Sequence, residues 1–127
     1  MKKVLALTAI LEGATGLALL VRPSMVIQLL IGDGVSGAGI AVGRVAGLAL
    51  VSLGLACWPK RNLANNFAPA FRAMLTYSLM VTIYLGYLGV VEHLAGILLW
   101  PAVAAHAVLT LLLVAAFWRE GPHLDAR

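Results

Sequence analysis

Three ionisable side chains stand inside long apolar stretches of this sequence: Glu12, Arg44 and His106. A charged side chain at the centre of a membrane helix costs roughly 2.5–3.5 kcal/mol on insertion scales, and more in hydrocarbon without water. Pairing an acid with a base reduces that cost. Ionisable groups inside membranes also commonly mark ligand sites or proton pathways. These residues are therefore the first candidates for function.

The depths of these residues predict which of them meet. At 1.5 Å per helical residue, Glu12 lies about 13 Å from the C-terminal end of its helix, and Arg44 lies about 10 Å from the N-terminal end of the next long helix. These two ends are predicted to face the same side of the membrane, which is called the outer side. The two levels differ by less than a helical turn, so we expect Glu12 and Arg44 to form a charge pair. His106 is deeper, about 18 Å from the start of its helix and roughly mid-membrane.

Tyrosines of the third long helix extend this polar band. Tyr84 lies at nearly the depth of the charge pair, and Tyr77 lies on the same helix face about two turns away. A buried tyrosine needs a hydrogen-bond partner. The sequence thus predicts a ligand-binding pocket lined by Glu12, Arg44, Tyr77, Tyr84 and His106. The alternatives are an ion pair that only fixes helix register, a packing histidine and a tyrosine face in the core.

The elements that position these residues are predicted to be membrane-spanning helices. The 127-residue chain is 62% hydrophobic and 11% charged, and its mean hydropathy is +1.00. Soluble domains are about half apolar and about a quarter charged. Stretches long enough to cross a bilayer, which takes roughly 17–25 apolar residues, occur at 4–21, 37–58, 71–91 and 94–117. We predict an all-α integral membrane protein, with residues 1–127 forming one up-down four-helix bundle.

A short apolar segment connects the first two predicted spans. Arg22-Pro23 ends the first helix because proline cannot continue it, and Ser24 can cap the following "MVIQLL". This segment is too short to span a bilayer, so we expect it in the outer interface. The sequence "VRPS" is a poor signal-peptidase site, which favours a retained first helix over a cleaved signal peptide.

Most basic residues are predicted to share one side of the membrane. They fall at the two termini and in the second connection: Lys2, Lys3, Lys60, Arg61, Arg72, Arg119 and Arg127. The opposite side holds Arg22 together with Asp33, Glu92 and His93. By the positive-inside rule, we expect both termini to be cytoplasmic in a bacterial inner (cytoplasmic) membrane. The basic residues behind the net charge of +4 are then expected to set the topology and to contact lipid headgroups. No nucleic-acid partner is expected.

A strip of small residues runs along the second predicted span. Gly39, Gly43 and Gly47 recur at every fourth position, which places them on one edge of a helix. Small residues at this spacing allow helices to approach closely in lipid. We favour packing within the bundle over a homodimer contact, because a small bundle must exclude lipid from its polar residues. A homodimer or a larger membrane complex is left open as a partner beside the lipid bilayer.

Familiar catalytic and cofactor motifs are missing from the sequence. It has no histidine and carboxylate cluster with metal-ligand spacing, no nucleophile elbow and no phosphate-binding glycine loop. A bis-histidine haem would need a second histidine at a suitable depth, but His93 lies in the outer turn and His123 in the tail. The single cysteine, Cys57, forms no intrachain disulfide. We therefore expect neither metal nor haem, and a non-enzymatic function is favoured.

The first two long helices resemble those of a known family. A glycine-containing helix that ends at proline, "LEGATGLALLVRPS", precedes a short interfacial stretch and the glycine-rich "GRVAGLALVSLGLA". With the four-helix layout, this pattern resembles the DoxX-like small bacterial membrane proteins. Some of that group are membrane subunits associated with quinone-linked oxidoreductases, or accessory proteins. The resemblance implies a partner subunit or a site for a small hydrophobic molecule such as a quinone.

Two functions are compatible with these residues. The first is a binding or accessory membrane subunit whose pocket takes a small hydrophobic ligand, a quinone or a lipid, or contacts a partner membrane protein. The second is a small proton-coupled transporter, similar to small multidrug transporters, whose first-helix carboxylate matches Glu12. Arg44 is the objection to the second, because a fixed cation beside Glu12 would repel a cationic substrate. We favour the binding subunit.

Overall fold

The computed structural model describes residues 2–58, 68–94 and 96–120, and all its regular elements over these residues are helices. They are α1 (Lys2–Val21), α2 (Pro23–Ile31), α3 (Ala38–Ala56), α4 (Ala68–Val90) and α5 (Leu99–Glu120). All except α2 are long and apolar enough to cross a membrane. An all-helical chain with four candidate spans is thus confirmed. Residues 59–67 and 121–127, which include the basic residues Lys60, Arg61 and Arg127, lie outside the described residues.

The outer faces of the long helices are covered by large apolar side chains. Val21, Val45 and Ile83, on three different helices, are each more than half exposed. In water such a surface would promote aggregation, whereas lipid tails solvate it. Tryptophans near helix ends are also exposed, as expected for side chains at the headgroup boundary: Trp58, Trp100 and Trp118. These faces indicate a lipid bilayer as the surroundings of a multi-pass protein.

Helices α1 and α3 approach each other backbone to backbone. A Cβ atom added to Gly47 would lie 2.7 Å from the carbonyl oxygen of Gly16, and one added to Gly54 would lie 2.8 Å from that of Ala9. Both distances are shorter than real Cβ contacts, so these glycines set the separation of the two helices. Gly16 and Gly54 were missing from the predicted packing strip, and they complete this contact.

The other glycines of the predicted strip have different neighbours. A Cβ atom on Gly43 would lie 2.9 Å from Cδ1 of Ile27 and 3.1 Å from Cβ of Pro23, both on α2. One on Gly39 would meet Cβ of Val35, in the turn before α3, at 3.1 Å. The strip therefore serves contacts within the chain in three places: the preceding turn, α2 and α1.

The short helix α2 is fixed at both ends. Pro23 begins it, where a missing N–H costs nothing, and Gly32 ends it in the left-handed conformation with φ of 87°. Its last carbonyl oxygens accept hydrogen bonds from the segment before α5. The N–H of Leu98 donates to Leu29 at 2.8 Å, and that of Gly96 donates to Leu30 at 3.2 Å. These bonds join α2 to the connection between α4 and α5.

Helices α4 and α5 form a second close pair. Phe71 stacks on Phe117 near one end, with ring centroids 5.6 Å apart. Near the other end of the pair, Leu85, Leu88 and Leu99 form an apolar cluster. A larger cluster at the first end joins this pair to α1 and to Cys57 after α3: Leu5, Ala9, Cys57, Phe71, Met74 and Leu113. The middle of the bundle lies between these two apolar clusters.

We predict that Gly47→Ala lowers the free energy of unfolding by about 1–3 kcal/mol, the range for overpacking a core, because the new methyl group meets the Gly16 backbone. Reversible unfolding in mixed detergent micelles, followed by circular dichroism, measures this. Gly86→Ala in α4 is the matched control. No heavy atom lies within 4 Å of its added Cβ, so we expect unchanged or slightly higher stability. Equal effects of both substitutions would contradict the α1–α3 contact.

Candidate functional site

Glu12 lies on the buried face of α1. That face consists of Leu5, Thr8, Ala9, Glu12 and Gly16, spaced as one helical stripe. The Glu12 side chain is only 2% exposed, so it is withdrawn from lipid as well as from water. The neighbouring Thr8 hydroxyl donates its hydrogen bond to the carbonyl of Leu5 at 2.9 Å within α1. The partners of Glu12 must therefore come from other helices.

Two aromatic side chains from α4 and α5 meet the Glu12 carboxylate. Nδ1 of His106 lies 3.8 Å from Oε1 of Glu12, and the Tyr77 side chain is close enough to interact electrostatically with the same carboxyl group. The rings of Tyr77 and His106 meet edge to face, with centroids 5.9 Å apart and an interplanar angle of 75°. A carboxyl, a phenol and an imidazole from three helices thus form one polar cluster.

Two atoms at this level keep unused hydrogen-bonding capacity. Among the described residues, Nδ1 of His106 and Oγ of Ser78 are buried without a hydrogen-bond partner. Such an atom costs about 1–3 kcal/mol of desolvation, and exceptions of this kind call for an explanation. Ser78 directly follows Tyr77 in α4 and is completely buried. Of these two atoms, only Nδ1 of His106 is shown to belong to the cluster, so the site combines three interacting groups with one imidazole nitrogen that no described protein atom hydrogen-bonds.

Arg44 does not join this cluster, which corrects the expectation of a Glu12–Arg44 charge pair. Its side chain is exposed, and the described residues contain no ion pair between it and Glu12. The reason is the rotation of α3. Gly43 and Gly47 are buried, and each following residue is turned by about 100° around a helix with 3.6 residues per turn. Similar depths of Glu12 and Arg44 are therefore not enough to bring the two side chains together, because the packing of the glycines beside Arg44 sets the direction of its side chain.

Tyr84 also lies apart from the cluster. Its side chain is 62% exposed, although it shares a face of α4 with Tyr77. Seven residues correspond to about 10 Å along a helix, and at the level of Tyr84 this face is no longer covered by another helix, since Ile83 and Tyr87 are exposed there too. The hydroxyl of Tyr87 donates to Oε1 of Glu92 at 2.9 Å, as expected near the helix end.

The remaining candidate groups have local roles. Within the described residues, no group of three or more histidine, cysteine, aspartate or glutamate side chains could hold a metal ion. Cys57 is buried beside α4, and its thiol donates to the carbonyl of Ala70 at 3.5 Å. The sequence gives Ser78 no special role, because serine in a helix usually bonds its own backbone. Only its burial without a partner distinguishes it.

No family model matches this chain, and neither a curated protein nor a solved structure shows significant similarity to it. The function must therefore be inferred from the cluster of Glu12, Tyr77 and His106 itself.

A double-mutant cycle tests this cluster against the predicted charge pair. Glu12→Gln and Tyr77→Phe should be coupled by at least 0.5 kcal/mol, the lower end for residues in one network, because the two side chains touch. Glu12→Gln and Arg44→Gln should be additive within about 0.5 kcal/mol, as expected for separate sites. Unfolding in mixed micelles measures both cycles. Strong coupling to Arg44 with none to Tyr77 would contradict this assignment.

Proposed function

We propose that this protein is a membrane binding or accessory subunit whose site, formed by Glu12, Tyr77 and His106, takes the polar head of a small hydrophobic ligand. The convergence of these side chains from α1, α4 and α5 around one buried carboxyl is the observation that carries the proposal. Intramembrane ionisable groups are costly and commonly functional. A structural role alone would need no imidazole left without a hydrogen bond.

A quinone is the ligand chemistry that fits these groups best. Quinone carbonyl oxygens accept hydrogen bonds, and a phenol or a neutral imidazole can donate them. The hydroxyl groups of the reduced form donate, and a carboxylate or the unprotonated imidazole nitrogen can accept. The site can therefore bind both redox forms. Electron transfer to or from the quinone would belong to a partner subunit, as the resemblance to DoxX-like proteins implies.

The position of the site between two helix pairs supports access for such a ligand. Helix α1 packs chiefly on α3, and α4 chiefly on α5, while fewer contacts connect α1 to α4 and α5. Glu12 belongs to the first pair, and Tyr77 and His106 belong to the second. A small separation of the pairs would open the site toward the lipid, where a hydrophobic ligand is dissolved. Ligand sites between the helices of a bundle are common.

The proposal includes an up-down arrangement of the four spans in an inner membrane, with both termini cytoplasmic. Contacts run in opposite order along α1 and α3, since Gly54 meets Ala9 while Gly47 meets Gly16. The same holds for α4 and α5, since Phe71 stacks on Phe117 while Leu88 clusters with Leu99. The charge distribution supports the orientation through the positive-inside rule.

We predict that single cysteines at Lys3 and Arg119, in a Cys57→Ser background, react with a membrane-impermeant maleimide only from the cytoplasmic side. A cysteine at Asp33, between α2 and α3, should react only from the opposite side. Intact spheroplasts and inverted vesicles provide the two sides. Labelling of Lys3→Cys and Arg119→Cys from different sides would overturn the proposed topology.

Quinone binding tests the function directly. The protein in nanodiscs should retain a ubiquinone or menaquinone analogue, measured by extraction and chromatography. Tyr77→Phe and Glu12→Gln should each weaken binding about fivefold, as expected for a hydrogen bond worth about 1 kcal/mol. Tyr84→Phe is the matched control, because this tyrosine is exposed outside the cluster, and it should bind as the unmodified protein does. Retention equal to that of empty nanodiscs would contradict the quinone proposal.

A proton-coupled transporter is the second candidate, and the exposure of Arg44 favours it. Because the guanidinium of Arg44 forms no ion pair with Glu12, the objection that a fixed cation beside this carboxyl would repel a cationic substrate no longer holds. Glu12 could then exchange a proton for a lipophilic cation, with the two helix pairs moving against each other. His106 at 3.8 Å would accept or release a proton beside it.

Transport by proteoliposomes separates the two candidates. For a transporter, a pH gradient should drive uptake of a lipophilic cation such as ethidium, Glu12→Gln should abolish uptake, and Glu12→Asp should retain part of it. Arg44→Gln should leave uptake unchanged, because Arg44 lies outside the site. Uptake in Glu12→Gln equal to that of the unmodified protein would exclude this mechanism.

A further inference from the structure

Two arginines are adjacent in sequence to the residues that form the contact between α2 and α3. A Cβ atom on Gly43 of α3 would lie 3.1 Å from Cβ of Pro23 at the start of α2. Arg22 directly precedes Pro23, and Arg44 directly follows Gly43. The backbones that carry the two guanidinium groups are therefore held close together, and both side chains are exposed.

No acidic side chain in the described residues neutralises this pair. Neither arginine forms an ion pair there. The nearest acid in sequence, Asp33, accepts a hydrogen bond at Oδ1 from the N–H of Gly34 at 2.8 Å, and Glu92 accepts one from Tyr87. Two positive charges are therefore exposed at the same junction, and no described acidic residue forms an ion pair with either of them.

The surroundings of this junction are those of a lipid surface. Arg44 lies about 9 Å along α3 from Ala38 at 1.5 Å per residue, a depth from which a long side chain can reach the headgroup level. Val21, Val42 and Val45 beside the two arginines are well exposed. An occupant of this place must offer an anion at the level of the headgroups and apolar chains below it.

We propose that Arg22 and Arg44 form a binding site for the phosphate of an anionic phospholipid. Guanidinium groups bind phosphate through paired hydrogen bonds, and the exposed valines contact the acyl chains. A soluble anion would match only the charges, and a partner helix would have to bring a carboxylate to this depth. An anionic phospholipid supplies both the phosphate for the arginines and the acyl chains for the valines. It would stabilise the junction of α2 and α3 and is independent of the ligand at Glu12.

Lipid exchange measured by native mass spectrometry tests this site. The protein is equilibrated with micelles that contain phosphatidylglycerol and phosphatidylcholine in equal amounts. We expect severalfold preferential retention of phosphatidylglycerol by the unmodified protein. In the double variant Arg22→Gln/Arg44→Gln, the preference for phosphatidylglycerol should be reduced at least about fivefold. The variant Arg22→Lys/Arg44→Lys should keep part of the preference, because lysine retains the charge.

Matched controls distinguish this site from general attraction of a basic protein. Lys3→Gln/Arg119→Gln removes the same charge from two exposed positions and should leave the preference within twofold. Excess inorganic phosphate should not displace the lipid; displacement would show that a free anion suffices and overturn the lipid proposal. An unmodified protein without preference would overturn it, as would equal loss in the two glutamine double variants. If the first double variant fails to fold, the single variants Arg22→Gln and Arg44→Gln must each reduce the preference for the proposal to stand.

Discussion

The backbone contact between α1 and α3 determines where the polar groups of this bundle can go. Gly47 meets the Gly16 carbonyl, and Gly54 meets that of Ala9, so the glycine edge of α3 faces α1 and its remaining faces point elsewhere. A helix is rigid in rotation once one edge is in contact. Arg44 is consequently turned outward, and Glu12, which remains on the buried stripe of α1, can be met only from α4 and α5.

This constraint separates the charges of the protein into an inner and an outer group. Inside, Glu12 shares its surroundings with Tyr77 and His106, and apolar clusters lie on either side of them along the bundle. A polar layer enclosed in this way strengthens each electrostatic interaction within it, because the surrounding dielectric is low. Such a layer suits a ligand that has a polar head on an apolar body, and it equally suits the exchange of a proton. Both proposed functions depend on this layer rather than on a fixed ion pair.

Outside, the two arginines at the junction of α2 and α3 depend on the membrane. A guanidinium near a lipid-facing surface is tolerated when its side chain reaches the headgroups. The junction itself is well fixed, because α2 is hydrogen-bonded at its end to the segment before α5 and packs through Pro23 and Ile27 on Gly43. A well-fixed protein junction with exposed cationic side chains is a suitable partner for a phosphate group. In the proposed site the bilayer supplies the counter-charge, since no described acidic residue pairs with either arginine.

The sequence by itself determined the helical class, the four candidate spans, the short α2 and the placement of Glu12 and His106 inside apolar helices, because these follow from apolar length and from proline and glycine positions. It also indicated the depth of each polar residue along its helix. Only the tertiary structure decided which direction each side chain takes around the helix axis. That direction depends on which edges pack, and the sequence does not show that Gly16 of α1 and Gly54 of α3 are the positions where the two backbones meet. Glu12 therefore meets Tyr77 and His106, while Arg44 and Tyr84 are exposed.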